Sequence, residues 1–170
     1  TNHAKAGILS LDRDATGASL GTVTHTTYPE LAKRAAKLAH ALDRLGVEKG
    51  DRIGTIAWND QRHFELYYAI SGIGAVCHTI NPRLFPEQIT YIIRHADDRW
   101  IFVDPTILPV LEGIFDTIQD VPAGIVIMAD TVPETSLTGK TRVLSYEDLL
   151  ASEPDTYDWP VFDENTASSL

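Results

Sequence analysis

Six histidines, one cysteine, two glycines spaced by a single residue and one Gly-Lys step are the places where this 170-residue chain could carry chemistry. His3, His25, His40, His63, His78 and His95 show neither HxxxH nor HExxH spacing, so a zinc site is not expected. Gly72 and Gly74 give "GIG", but a dinucleotide fingerprint needs a third glycine where Cys77 stands. The pair also precedes a strand that the fingerprint would have to follow. Close helix–sheet packing is the expected use of these glycines. Gly139–Lys140 lies in a polar loop rather than in a GxxxxGK[ST] run, and Ser71 in "AISGI" does not make a G-x-S-x-G elbow. His78 lies in a presumed strand, either as a satisfied core or strand-end histidine or as a wall of a substrate pocket. Cys77, in the apolar run "AVCHTI", is expected to be a buried, inert thiol with no base beside it.

Composition narrows the partners. There are 14 Lys and Arg against 24 Asp and Glu, a net charge of −10. Such a chain repels phosphate backbones and anionic lipid, which argues against nucleic acid or a membrane surface. The late carboxylates Asp148, Glu153, Asp155, Asp158, Asp163 and Glu164 repeat no ion-binding loop and read as solvated surface. One cysteine permits no internal disulfide, which suits a reducing cytoplasm. No apolar run approaches the length of a membrane span. An apolar fraction of 44% is ordinary for a globular core.

The elements that would position any site alternate regularly. Residues 1–25 read as an irregular or hairpin-like entry that ends in the strand "TVTHTTY". Thr27 and Glu30 have capping-box spacing, and Leu31, Ala35, Leu38, Ala39, Leu42 and Leu45 fall on one helical face ended by Gly46. "RIGTIAW", "AVCHTI", "WIFVD" and "GIVIMA" then read as buried strands. Helices are expected from Asn59 or Asp60 to about Gly74, from Pro86, and from about Ile107 to Ile118. The rhythm predicts an α/β fold, a parallel βαβ sheet covered by helices on both faces, over residues 26–150. Residues 130–141 read as an exposed loop. Arg142–Leu144 is a short strand, and Ser145 caps the helix that follows it. Residues 151–170 read as an extended segment in which Trp159 and Phe162 pin the chain to something. "TASSL" then has the composition of a strand beginning.

Three segments carry a resemblance: "TYPELAKRAAKLAHALDRLGVEKGDRIGTIAWN", "YYAISGIGAVCHTINPRLFPEQITYIIRHADDRWIFVD" and "DENTASSL". Colinear from about Thr26 to Leu170, they resemble the adenylate-forming, AMP-binding acyl-CoA synthetases. Within these, the likeness is to the medium- and long-chain fatty acid–CoA ligases, including the branch that activates methylthio-propionate-like acids. The resemblance implies the first part of a large N-terminal domain, ending just before a Gly/Ser/Thr-rich phosphate loop. It implies ATP, coenzyme A and magnesium as cofactors of the full-length enzyme, and a carboxylic acid as substrate. The acid attacks the α-phosphate, and the thiol of coenzyme A then displaces AMP. The 170 residues alone are expected to be inactive and to bind none of these cofactors. Their partner would be the remainder of the polypeptide, with a homo-oligomer left open.

The resemblance places no catalytic residue in this stretch. Arg83 of "NPRL" matches an arginine that lies near a coenzyme A phosphate in some relatives; the alternative is an arginine paired with a nearby carboxylate. Two other readings compete with the ligase. One is a non-catalytic scaffold or interaction domain of the same fold. The other is an adenylation enzyme with a different thiol acceptor, against which the wording "HTINPRL" weighs.

Overall fold

A computed structural model describes residues 5–118 and 122–170; His3 and the first residues of the entry segment lie outside them. The chain opens with an antiparallel hairpin, β1 (Gly7–Arg13) and β2 (Ser19–Thr27). It continues through α1 (Tyr28–Arg44), β3 (Arg52–Ile56), α2 (Gln61–Gly72), β4 (Val76–Thr79), α3 (Pro86–Ala96) and β5 (Trp100–Val103). Then come α4 (Leu108–Ile114) with a 3₁₀ turn at Phe115–Thr117, β6 (Gly124–Ile127), β7 (Val143–Ser145) and α5 (Tyr146–Leu150). Strands β3 to β7 form one parallel sheet in the order β4-β3-β5-β6-β7.

The unbroken apolar strands have the reason expected of them, since both faces of the sheet are covered. Alternate residues of β5 serve different cores. Trp100 and Phe102 join Leu38, Leu42, Leu66 and Ile70 under α1 and α2. Ile101 and Val103 join Ile89, Ile93 and Leu111 under α3 and α4. Helix α1 begins where the sequence places its cap. The Thr27 hydroxyl accepts from the Glu30 N–H, and the Glu30 carboxylate accepts from the Thr27 N–H at 2.8 Å.

The entry is more ordered than its composition suggests. Gly7–Arg13 is a full strand within the entry read as irregular or hairpin-like, and its Leu–Ser–Leu–Asp alternation is inverted, with Leu9 and Leu11 exposed and Ser10 buried. The loop at 130–141 is mostly exposed, but Leu137 is buried in the α3/α4 core, and Glu112 accepts from the Thr135 hydroxyl and the Ser136 N–H.

The segment after α5 lies across α1 and α2 as a strap. His40 Nε2 meets the Thr156 carbonyl at 2.9 Å, and the Tyr157 hydroxyl donates to Asp43. Glu153 and Asp155, part of the supposed solvated acid cluster, pair with Arg44 and Lys33 of α1. Gly72 and Gly74 require a correction. A Cβ at Gly72 would stand 2.4 Å from the Trp159 ring, and one at Gly74 would stand 2.6 Å from the Phe162 ring. These glycines seat the strap's aromatic rings rather than packing a helix on the sheet. The strap ends beside β4, where Cys77 N–H donates to Ser168, Leu170 N–H donates to Cys77, and Thr79 N–H donates to Leu170.

Candidate functional site

The order β4-β3-β5-β6-β7 reverses its winding between β3 and β5. The connection β3–α2–β4 runs outward to one side, and β4–α3–β5 returns across β3 to the other. At such a reversal the loops leaving the two carboxyl ends part and open a crevice. Trp58 and Asp60 leave β3 on one side of it; Asp104 and Thr106 leave β5 on the other. The hairpin closes the top with Ser10, Asp12 and Arg13, and the cleft so formed has a volume of about 460 Å³.

Local chemistry holds these groups in place. Asp60 caps α2, its Oδ1 accepting from the His63 N–H at 2.8 Å. Burial pushes the Asp60 carboxyl above the usual carboxylate range; the His63 N–H opposes the rise, and the charge of Asp104 adds to it. Asp104 accepts on Oδ1 from both the N–H and the hydroxyl of Thr106, and that hydroxyl in turn accepts from the Trp58 indole at 3.1 Å. Behind them His63 is buried, with Nδ1 facing the Trp58 carbonyl and Nε2 facing the Thr55 hydroxyl. Burial lowers its pKa, so it stays neutral. The hairpin is anchored by a hydrogen bond between Thr26 Oγ1 and Gln61.

The residues singled out from sequence do not meet here. His78 is buried in β4, its Nδ1 2.9 Å from each carboxylate oxygen of Asp98, and it does not line the cleft. Of its two expected roles, the placement favours the satisfied core histidine. Arg83 is exposed in the β4–α3 loop, its guanidinium over the Trp58 ring at 5.4 Å and close to Gly17. It makes no ion pair with a carboxylate among the described residues, so the carboxylate-pairing reading has no partner there. Cys77 is buried and free. The cleft's acids passed unmarked in the sequence because a carboxylate after a strand looks like a cap or a turn. The available signal was position, since Asp60 and Asp104 each follow a buried parallel strand at its carboxyl end.

Four of the five described α-helix N-termini do not suit a triphosphate, and the fifth, that of the seven-residue α4, has no acid in its first turn and no side-chain cap. Glu30 closes α1, Asp60 closes α2, Glu87 lies in the first turn of α3, and Glu147 and Asp148 lie in that of α5. Each places negative charge where an anion would need the free N–H groups. Among the described residues no group of three or more His, Cys, Asp or Glu is placed to hold a metal ion. No described helix is long and apolar enough to cross a membrane.

An open α/β sheet wound in both directions, with a crevice at its reversal, defines a class of ligand-binding fold. The family within that class follows from comparison. Residues 10–164 match the model of the AMP-binding enzymes, and the chain belongs to that family. It is 46% identical over 168 residues, 99% of its length, to a 3-methylmercaptopropionyl-CoA ligase of Ruegeria lacuscaerulensis. It is 49% identical over 150 residues to a medium-chain-fatty-acid–CoA ligase of Ectopseudomonas oleovorans. A crystal structure of an anthranilate–CoA ligase with anthranoyl-AMP superposes with a TM-score of 0.76 over 86% of this chain at 23% identity, a likeness of fold. The chain spans less than a third of these proteins: 30%, 27% and 27% of their respective lengths.

Proposed function

We propose that the chain is the N-terminal α/β portion of an ATP-dependent acid–CoA ligase that works through an acyl-adenylate, with a fatty acid or a related carboxylic acid as substrate. The observation that carries this is the 46% identity to a named CoA ligase along 99% of the chain. Adenylation requires positive charge and backbone donors around a crowded triphosphate. Here the charge is −10, and the helix N-termini named above carry carboxylates. The triphosphate and its magnesium therefore belong with residues outside this stretch, and these residues contribute scaffold. Arg83 is the group here that suits coenzyme A, because an exposed guanidinium with no ion pair among the described residues can meet a phosphate. A cytoplasmic setting fits the free thiol of Cys77.

Carboxylate-dependent pyrophosphate–ATP exchange tests the assignment. The longer polypeptide should exchange with a medium-chain fatty acid or a methylthio-alkanoate, and the 170 residues alone should not. Exchange by the short chain would overturn the scaffold role, and its absence from the longer polypeptide with every acid tried would overturn the ligase. Within the longer enzyme, Arg83→Ala should raise the KM for coenzyme A about tenfold and leave exchange intact, since a charge-assisted hydrogen bond contributes roughly 1.5–3 kcal/mol. Equal loss in both half-reactions would make Arg83 structural.

A further inference from the structure

We propose that Trp58 is a positioning residue for coenzyme A, its indole holding the Arg83 guanidinium ready for one of the coenzyme's phosphates. The inference rests on the ligase reading above and adds to it the residue that prepares the arginine.

A long side chain on a loop samples many rotamers, and a phosphate that binds it must first freeze it. Arg83 is held at both ends. Its backbone N–H donates to the side-chain oxygen of Asn81 at 2.9 Å, and the Leu84 N–H donates to the Asn81 carbonyl, which fixes the turn after β4. Its guanidinium lies over the Trp58 ring, 5.4 Å from the centroid. Stacking occupies the face of a guanidinium and leaves the N–H donors around its edge open, the fork that suits two oxygens of one phosphate. Arg83 is exposed, and its side chain makes no hydrogen bond or ion pair among the described residues, so the fold does not use those donors.

The ring is held in its turn. The Trp58 indole N–H donates to the Thr106 hydroxyl at 3.1 Å, and that hydroxyl donates to Asp104 at 2.6 Å. Trp58 and Asp104 follow β3 and β5, which pair with each other, so the anchor of the ring is the sheet itself. The β1–β2 turn adds a second restraint. Gly17 has a φ of +83°, and a Cβ there would stand 3.0 Å from both Arg83 Nη2 and Trp58 Cη2. Bare backbone is what fits against this pair. The turn keeps its shape because Asp14 Oδ1 accepts from the Thr16 and Ala18 N–H groups, and Arg13 donates to the Gly17 carbonyl at 2.7 Å. Hairpin, sheet and β4–α3 loop thus converge on one guanidinium whose donor edge is left for a ligand.

The probe is adenosine 3′,5′-bisphosphate, the nucleotide end of coenzyme A, titrated calorimetrically into the longer polypeptide. Carboxylate-dependent pyrophosphate–ATP exchange serves as the control for folding and for the first half-reaction. Trp58→Leu should weaken the bisphosphate about fivefold and leave exchange intact, whereas Trp58→Phe keeps a ring and should stay within about twofold of the unaltered enzyme. In an Arg83→Ala background, Trp58→Leu should weaken binding no further, because the ring acts through the guanidinium. Arg83→Lys, at an exposed site where folding is not at stake, keeps the charge without the plane and should lose most of what Arg83→Ala loses. It decides the matter even where Trp58→Leu does not fold. No binding by the unaltered enzyme, full affinity in folded Trp58→Leu or in Arg83→Lys, or additive losses in the double variant would each overturn the inference. Affinities that follow the expected pattern in a polypeptide without exchange would overturn the ligase reading instead and leave the positioning role standing.

Discussion

Cys77 shows how burial alone sets the behaviour of one residue. Burial pushes its thiol up to about 12 from an ordinary 9.0, with the Thr55 hydroxyl pulling slightly the other way. The folded chain therefore keeps a proton that the unfolded chain releases. The resulting stabilisation is complete below pH 9 and is lost as pH rises toward 12. Maleimide at about pH 8 should label Cys77 only through unfolding, so its rate should track denaturant; labelling at the rate of a free thiol would show that the site opens natively. Gly74 is the opposite case, a residue whose backbone matters. Its φ of +83° after α2 is left-handed, and the Phe162 ring stands where a Cβ would go. Gly74→Ala should cost about 1–2 kcal/mol in urea unfolding, and a neutral result would mean that the turn and the strap relax together.

Among the elements, α1 and α2 are tied to α5 by a partly buried ionic network. Arg34 reaches Glu65 at 2.7 Å and Glu147 at 2.8 Å, Arg62 also reaches Glu147, and the Tyr146 hydroxyl donates to Glu65. Glu65 is 1% exposed, and its burial pushes the carboxyl upward against the pull of Arg34. Removing one partner strands the other. Arg34→Ala should therefore destabilise by about 3–5 kcal/mol, well beyond the ~1 kcal/mol expected for losing the α1 cap in Thr27→Ala. Chemical denaturation of the two variants checks the order, and a cap loss as large as the network loss would contradict it. The cap is legible in the sequence because its partners are three residues apart. The network is not, because Arg34 and Glu147 are brought together only by the packing of α5 on α1.

For the molecule as a whole, two tendencies oppose each other. The hairpin leaves Leu9 71% and Leu20 63% exposed, an apolar surface suited to association. A charge of −10 holds copies apart over the Debye length, about 30 Å at 0.01 M salt and about 8 Å at 0.15 M. Self-association of the 170 residues, followed by sedimentation, should therefore increase with salt, and Leu9→Lys with Leu20→Lys should suppress it. Association that falls with salt would mean that ionic contacts, not the hairpin, join the copies.

The sequence by itself determined the alternation of strands and helices, the cap at Thr27 and the inert place of Cys77, because each depends on neighbours within a few residues or on an apolar run. The family was legible too, since its wording is spread colinearly through the elements. Tertiary structure alone decided the strand order, and with it the crevice between β3 and β5, because pairing register is not written in local periodicity. It also decided what Gly72 and Gly74 are for, since the rings of Trp159 and Phe162 reach them only after the chain has crossed four further strands. Asp60 and Asp104 lie far apart along the chain. They become neighbours in one cleft because parallel strands deliver their carboxyl ends to the same edge.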